Sequence, residues 1–267
     1  MLLGKRIRLN RLISHPSGKY LGITVDHAMA RGVFAGLEDI KTLVGKICRA
    51  FPDELTMHKG IADNCFEEFA GKVPLVLKCT TFGPVHFKQD IQVTEVGEAV
   101  AYGADAVSIG CIVLGEYQTH QIAQLGRMSD EAHRLGIPVV AHIYPRGLEN
   151  REDWVKPENL MYAARLGAEL GVDIVKTIYS GDPDSFSKVV EAAPIKVAVA
   201  GGDANTLEEV FTTAHDVIEA GGVGITFGRS VIQAKEPTAM VTTLGKIVHD
   251  RMSVQEALEF YNDLSNK

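Results

Sequence analysis

Lys176 closes the apolar run Val172-Asp173-Ile174-Val175-Lys176-Thr177, where an ammonium group is costly unless the fold presents it to a cavity. An ordinary lysine, with a pKa of about 10.4, is almost wholly protonated at neutral pH, whereas desolvation at a strand end lowers that value and frees the amine to attack a ketone. The chemistry on offer is an imine, whose protonated form draws in the electron pair of a neighbouring carbon–carbon bond. Lys59 and Lys78 also follow apolar runs and are rivals for the role. A second cation beside the nucleophile depresses its pKa, so a rival can also assist, and Lys78 is expected to pair with a carboxylate near the cavity.

Other residues of suitable type finish neighbouring apolar runs. Asp26 and His27 end the first, His58 the second, and Lys78-Cys79-Thr80 the third. The fifth ends in His142-Ile143-Tyr144-Pro145-Arg146-Gly147, where His142 and Tyr144, two residues apart, share one face of a strand. Two further segments suit an anion: Ala200-Gly201-Gly202-Asp203 and Phe227-Gly228-Arg229-Ser230. Glycine lets backbone amides approach a phosphate closely, and Arg229 adds a charge-assisted contact.

The elements that must carry these residues recur as one phrase, a helix ending at glycine followed by a short apolar strand. It reads Tyr102-Gly103-Ala104-Asp105-Ala106-Val107, then Leu135-Gly136-Ile137-Pro138-Val139, then Leu170-Gly171-Val172-Asp173-Ile174-Val175, and finally Ala220-Gly221-Gly222-Val223-Gly224-Ile225. Such phrases are α-to-parallel-β connections, whose strands are covered on both faces. Eight strands are predicted: about 21–26, 55–59, 75–79, 106–110, 139–144, 172–177, 196–200 and 223–227. Between them lie amphipathic segments such as 159–170, with Pro157 near its start. Eight such units, in a chain of 267 residues, predict a single α/β domain over 1–267, a closed (β/α)8 TIM barrel. A doubly wound open sheet is the rival, but no G-x-G-x-x-G follows the first strand. In a barrel the active site forms where strands end, so the polar residues above converge and the glycine segments fall after strands seven and eight, a frequent phosphate site.

Composition narrows the function further. A formal charge of -7 argues against nucleic acid, and no apolar stretch reaches the ~20 residues that span a bilayer. Lys5, Arg6, Arg8, Arg11 and Lys19 near the start are followed by no apolar core, so no secretory signal is expected. The four cysteines, Cys48, Cys65, Cys79 and Cys111, have no zinc-finger spacing and suit a reducing, cytoplasmic compartment. His27, His58, His86 and His142 raise a zinc-dependent alternative that polarises the ketone with a metal, but no H-x-x-x-H pair occurs among them. No cofactor or metal is expected.

Val25-Asp26-His27, Tyr144-Pro145-Arg146-Gly147, Asp173-Ile174-Val175-Lys176-Thr177, Ala200-Gly201-Gly202 and Phe227-Gly228-Arg229 together resemble the archaeal-type class I fructose-bisphosphate aldolases. These belong to a wider group that includes the deoxyribose-phosphate aldolases. The resemblance implies that Lys176 forms the imine, Tyr144 moves a proton at the adjacent carbon, and Asp26 handles the hydroxyl that becomes an aldehyde. It implies a phosphorylated ketose, fructose 1,6-bisphosphate or dihydroxyacetone phosphate, held by Arg229 with the amides of Gly201, Gly202 and Gly228. His27, Arg146 and His142 join as substrate contacts. Relatives form rings and pairs of rings, which implies a homo-oligomer, a decamer being one such assembly. The group also holds an amino-dideoxy-heptulosonate synthase and a thiolase, so a transaldolase-like or thiolase-like reaction is an alternative, and a non-catalytic phosphosugar-binding barrel is another. Ala28-Met29-Ala30-Arg31-Gly32-Val33-Phe34 replaces the family's usual glycine-rich, proline-bearing stretch.

Overall fold

The computed structural model describes residues 2–202 and 206–266. Eight parallel strands form a closed barrel in sequence order: β1 (Tyr20–Thr24), β2 (Glu54–Met57), β3 (Leu75–Lys78), β4 (Ala106–Ile112), β5 (Val139–Tyr144), β6 (Ile174–Thr177), β7 (Lys196–Ala200) and β8 (Gly224–Phe227). The expected (β/α)8 TIM barrel is therefore the observed fold, with every strand found where an apolar run placed it. Seven of the eight strands are buried along their whole length among β-branched and aliphatic residues, because helices cover the outside and side chains fill the inside. Among the described residues, no helix is long and apolar enough to cross a membrane.

Local chemistry sets the helix boundaries. Asp182 accepts from the Ser185 amide and precedes Pro183, starting helix Pro183–Glu191. Thr206 and Glu209 form a reciprocal capping box at helix Leu207–Glu219, and Gly136 ends Gln118–Leu135 in the left-handed conformation, φ 65°. One core lies between helices and strands. A second fills the barrel's N-terminal end with Leu12, Tyr20, Val76, Ala106, Val140, Ile174, Ala198 and Val223. Helix Leu3–Leu12 lies across that end and inserts Leu12, which is fully buried.

That lower rim is fastened by three aspartates, each one residue ahead of an even-numbered strand. Asp53 accepts from the Leu21 amide at 2.7 Å, Asp105 from Leu75 at 3.2 Å, and Asp173 from Val139 at 2.9 Å. Each also meets a cationic or imidazole side chain: His249 at 3.1 Å, Arg11 at 3.1 Å and Lys5 at 2.8 Å respectively. Each carboxylate thus ties an odd strand to the even one that follows.

The structure changes one reading of a strand end. β2 stops at Met57, and Lys59 opens helix Lys59–Cys65 and pairs with Glu98 at 2.8 Å. It faces a neighbouring helix and is no rival to Lys176.

The Lys5–Asp173 pair is buried, so removing one partner leaves an uncompensated charge. Asp173→Ala is expected to cost about 3–5 kcal/mol in urea unfolding, and adding Lys5→Met should recover part of that loss. Additive losses in the double variant would show that the pair is not coupled.

Candidate active site

Above the apolar floor the barrel interior turns polar and opens into a cavity of about 980 Å³ at the C-terminal ends of the strands. All ten site residues expected from the sequence line it: Asp26, His27, His142, Tyr144, Arg146, Lys176, Gly201, Gly202, Gly228 and Arg229. The reason is period two. In parallel register His142 neighbours both Gly110 and Lys176, while Lys78 neighbours Ser108, so residues sharing the inward face stack toward one axis.

Three of these side chains form a buried hydrogen-bonded row. Lys78 Nζ lies 3.4 Å from His142 Nδ1, and His142 Nε2 lies 2.8 Å from Ser108 Oγ. An ammonium only donates, so Nδ1 is the acceptor and the ring proton sits on Nε2, which donates to Ser108. Burial holds the His142 pKa well below the usual histidine value, and the cations Lys78 and Lys176 push it further the same way. Lys78 consequently serves a histidine and not the expected carboxylate: among the described residues it makes no ion pair.

Lys176 is buried and its pKa falls to about 8. Burial is the main cause, Lys78 and Arg146 add to it, and the carboxyls of Asp26 and Glu54 oppose it. Burial works against ionising Asp26 as well, but the positive groups around it outweigh that cost and its pKa is lowered. His27, 3.6 Å from Asp26, is itself pushed down to about 4 by burial, so near neutrality Lys78 and Lys176 are the charges that keep Asp26 ionised. Burial raises the Tyr144 phenol above its ordinary pKa. The Arg146 guanidinium sits 4.4 Å from the centre of the Tyr144 ring and 5.8 Å from that of Trp154. The site therefore holds a carboxylate, a phenol that keeps its proton, and an amine far easier to deprotonate than a surface lysine.

The loops after β7 and β8 meet at the cavity's other side. Arg229 Nη2 donates to the Gly202 carbonyl at 2.6 Å, and Gly202 adopts φ 54°. Gly228 has no room for a side chain: a Cβ would fall 2.2 Å from His27 Cε1 and 2.6 Å from Thr24 Oγ1. Asp203 lies outside the described residues.

Three polar residues of the interior escape a search of strand ends. Glu54 opens β2, and Ser108 interrupts the apolar run of β4; both are legible only once period two assigns them to the inner face. Asp90 lines the cavity from a loop, just before a two-residue antiparallel ribbon pairing Thr80–Thr81 with Ile91–Gln92 that no sequence pattern announced. Of the four histidines considered as zinc ligands, His27 and His142 line the cavity while His86 is exposed. Among the described residues no group of three or more His, Cys, Asp or Glu is disposed to hold a metal ion.

Known proteins resemble this chain in sequence and fold. The DeoC/LacD family of aldolases matches residues 21–234. The 2-amino-3,7-dideoxy-D-threo-hept-6-ulosonate synthase of Halobacterium salinarum is 35% identical over 96% of this chain and 95% of its own. A 2-amino-4,5-dihydroxy-6-oxo-7-(phosphonooxy)heptanoate synthase of Streptomyces griseus is 28% identical over 92% and 90%. An archaeal fructose-1,6-bisphosphate aldolase, solved with its catalytic lysine bound to the carbinolamine intermediate, superposes with a TM-score of 0.82 at 28% identity, over 92% of this chain and 99% of that one.

His142 and His27 both have folded pKa values below the unfolded 6.5, so neither affects the pH dependence of stability well above that value. As pH falls below 6.5 the unfolded chain binds protons that the folded chain refuses, and stability drops by up to about 1.4 kcal/mol per pH unit for each group. For His27 the loss continues down to about 4. His142→Gln should flatten the fall measured by urea unfolding between neutral and mildly acidic pH. An unchanged slope would mean that the ring protonates in the folded state.

Proposed function

The chain belongs to the DeoC/LacD family of aldolases, within the group related to the archaeal class I fructose-bisphosphate enzymes, and we propose that it cleaves or forms a phosphorylated ketose through an imine on Lys176. Fructose 1,6-bisphosphate and its fragment dihydroxyacetone phosphate are the first candidates. The observation that carries this reading is the Lys176 amine itself, buried with its pKa lowered to about 8 in a cavity that Asp26 and Tyr144 also line.

In cleavage the free amine adds to the ketone carbon, and the resulting hydroxyl leaves as water to give the protonated imine. Asp26 takes the proton of the hydroxyl on the departing fragment, whose oxygen becomes the aldehyde. The electron pair of the broken carbon–carbon bond moves into the imine and leaves an enamine. Tyr144, a phenol at neutral pH, protonates the enamine carbon, and water then releases the ketone and restores the amine. Gly201, Gly202, Gly228 and Arg229 hold the phosphate. His27, His142 and Arg146 contact the carbon chain.

A second reading keeps the imine but passes the enamine to another aldehyde, a transaldol transfer. The 35% identity to a synthase of an amino-dideoxy-heptulosonate, over nearly the full length of both chains, favours this variant. The two readings differ in the acceptor, so a ketose phosphate is offered alone and with an aldehyde that carries an amino-acid group. Free triose product supports cleavage; a lengthened amino-sugar acid supports transfer. We also propose that the chain works as a homo-oligomer.

Borohydride reduction in the presence of dihydroxyacetone phosphate or fructose bisphosphate should attach substrate mass to the peptide containing Lys176. Lys176→Ala should lose adduct and turnover together. Tyr144→Phe should keep the adduct while slowing proton exchange beside the ketone by about a hundredfold to ten-thousandfold. Adduct on Lys78 would move the nucleophile there, and no adduct at all would leave a binding protein.

Arg229→Ala should weaken phosphorylated ketoses by about ten- to a hundredfold relative to their unphosphorylated counterparts, the equivalent of roughly 1.5–3 kcal/mol. Equal losses for both, with a lowered melting temperature, would make the Arg229–Gly202 link purely structural.

A further inference from the structure

Barrel interiors are normally packed with branched apolar side chains, yet this one places a carboxyl group in its floor, at the strand position that Ala106 and Ile174 fill on β4 and β6. Glu54 is 1% exposed, and no cation lies within ion-pair distance of it among the described residues. It occupies a prepared place. Strand register sets Glu54 beside Gly22, and a Cβ on Gly22 would come within 2.2 Å of Glu54 Oε1 and 2.8 Å of Thr226 Cγ2. The missing side chain at position 22 is therefore the space the carboxyl fills. Thr56 donates to Oε2 at 2.8 Å. The Tyr20 hydroxyl faces the carboxyl without closing a hydrogen bond of good geometry, and Thr226 Oγ1, across Gly22, is also buried without a partner.

What stands opposite explains why such a costly group is kept. In an eight-stranded barrel ordered β1 to β8, β2 and β6 lie across a diameter from each other, so inward side chains from them run toward one another. On β6 Ile174 stands level with Glu54, and Lys176 is the next inward residue above it. Ala198, the inward residue beside it on β7, is too small to stand between them. We propose that Glu54 is a positioning residue for Lys176, a carboxyl set beneath the amine that fixes its place on the barrel axis and governs the pH at which it becomes the free nucleophile. The proposal rests on the imine reading for its purpose.

The rest of the surroundings are accounted for. Asp26 and His27 face the amine from the end of β1, Lys78 from β3, and His142 and Arg146 from β5 and its loop. Tyr20 and Asp26 are the other groups that act on Glu54. Of the two carboxyls near the amine, Asp26 lines the substrate cavity, while Glu54 lies below it and outside its lining. Substrate can thus engage Asp26 without disturbing the lower partner. Consistent with mutual influence, burial pushes Glu54 up to about 8 while the charge on Lys176 draws it down.

Competitive labelling with acetic anhydride across pH 6–10, read by mass on the Lys176 peptide with surface lysines as internal reference, tests this without any substrate. Glu54→Gln keeps the shape but removes the negative charge that Glu54 acquires as pH rises through about 8 and that favours the ammonium form there, so the labelling midpoint of Lys176 should fall by about one pH unit. Thr56→Val removes the hydroxyl that steadies the carboxylate, makes Glu54 easier to protonate, and should move the midpoint in the same direction by less. If Glu54→Gln does not fold, Thr56→Val decides. A midpoint that stays in place or rises in a folded variant overturns the proposal, because a purely structural carboxyl would alter melting but not the amine's titration. Borohydride trapping on the parent protein is read separately: absence of an adduct there sinks the imine reading, whereas the labelling midpoints still report on the pair.

Discussion

Taking the Lys176 amine out of water is the constraint around which the interior of this barrel is arranged. An isolated buried ammonium is expensive, and a lysine in that position either loses its proton or recruits counter-charge. Here both happen in measured opposition. Asp26 and Glu54 favour the charged form, Lys78 and Arg146 disfavour it, and burial tips the sum toward release at about 8. Fewer carboxyls would leave the amine neutral but poorly held, and fewer cations would leave it protonated and unreactive.

The same balance explains the row formed by Lys78, His142 and Ser108. Lys78 needs an acceptor, and an ion-paired carboxylate would cancel the positive charge that helps to depress Lys176. A neutral imidazole accepts the hydrogen bond without cancelling the charge. His142 then needs an acceptor for its other nitrogen, and Ser108 supplies one in the middle of an otherwise apolar strand. One buried cation beside another is tolerated because the ring between the strands is polar but uncharged.

Much of this was readable in the sequence for a physical reason. Parallel strands covered on both faces are largely apolar, so Lys176 stands out after Ile174 and Val175 without any knowledge of the fold. The apolar runs gave the count of eight, and the count gave the end of the barrel at which polar groups gather. Lys59 was misleading because one residue decides whether a side chain ends a strand or begins the next helix. Glu54 and Ser108 were hidden because a polar residue at the start or middle of a strand gains meaning only when its facing direction is known. Asp90 reaches the cavity from a loop, where no periodicity operates.

The aspartates of the lower rim divide the barrel into pairs, β1 with β2, β3 with β4, and β5 with β6. Ahead of β8 the corresponding residue is Val223, so β7 and β8 have no such carboxylate between them. Their side-chain tie lies at the opposite end, where Arg229 reaches the Gly202 carbonyl. If these loops hold a phosphate, as proposed, that phosphate competes with the tie for the guanidinium and must then bridge the two loops in its place. On that proposal, ligand occupancy and the cohesion of the last strand pair are thermodynamically linked, and the phosphate acts as a removable part of the barrel's own framework.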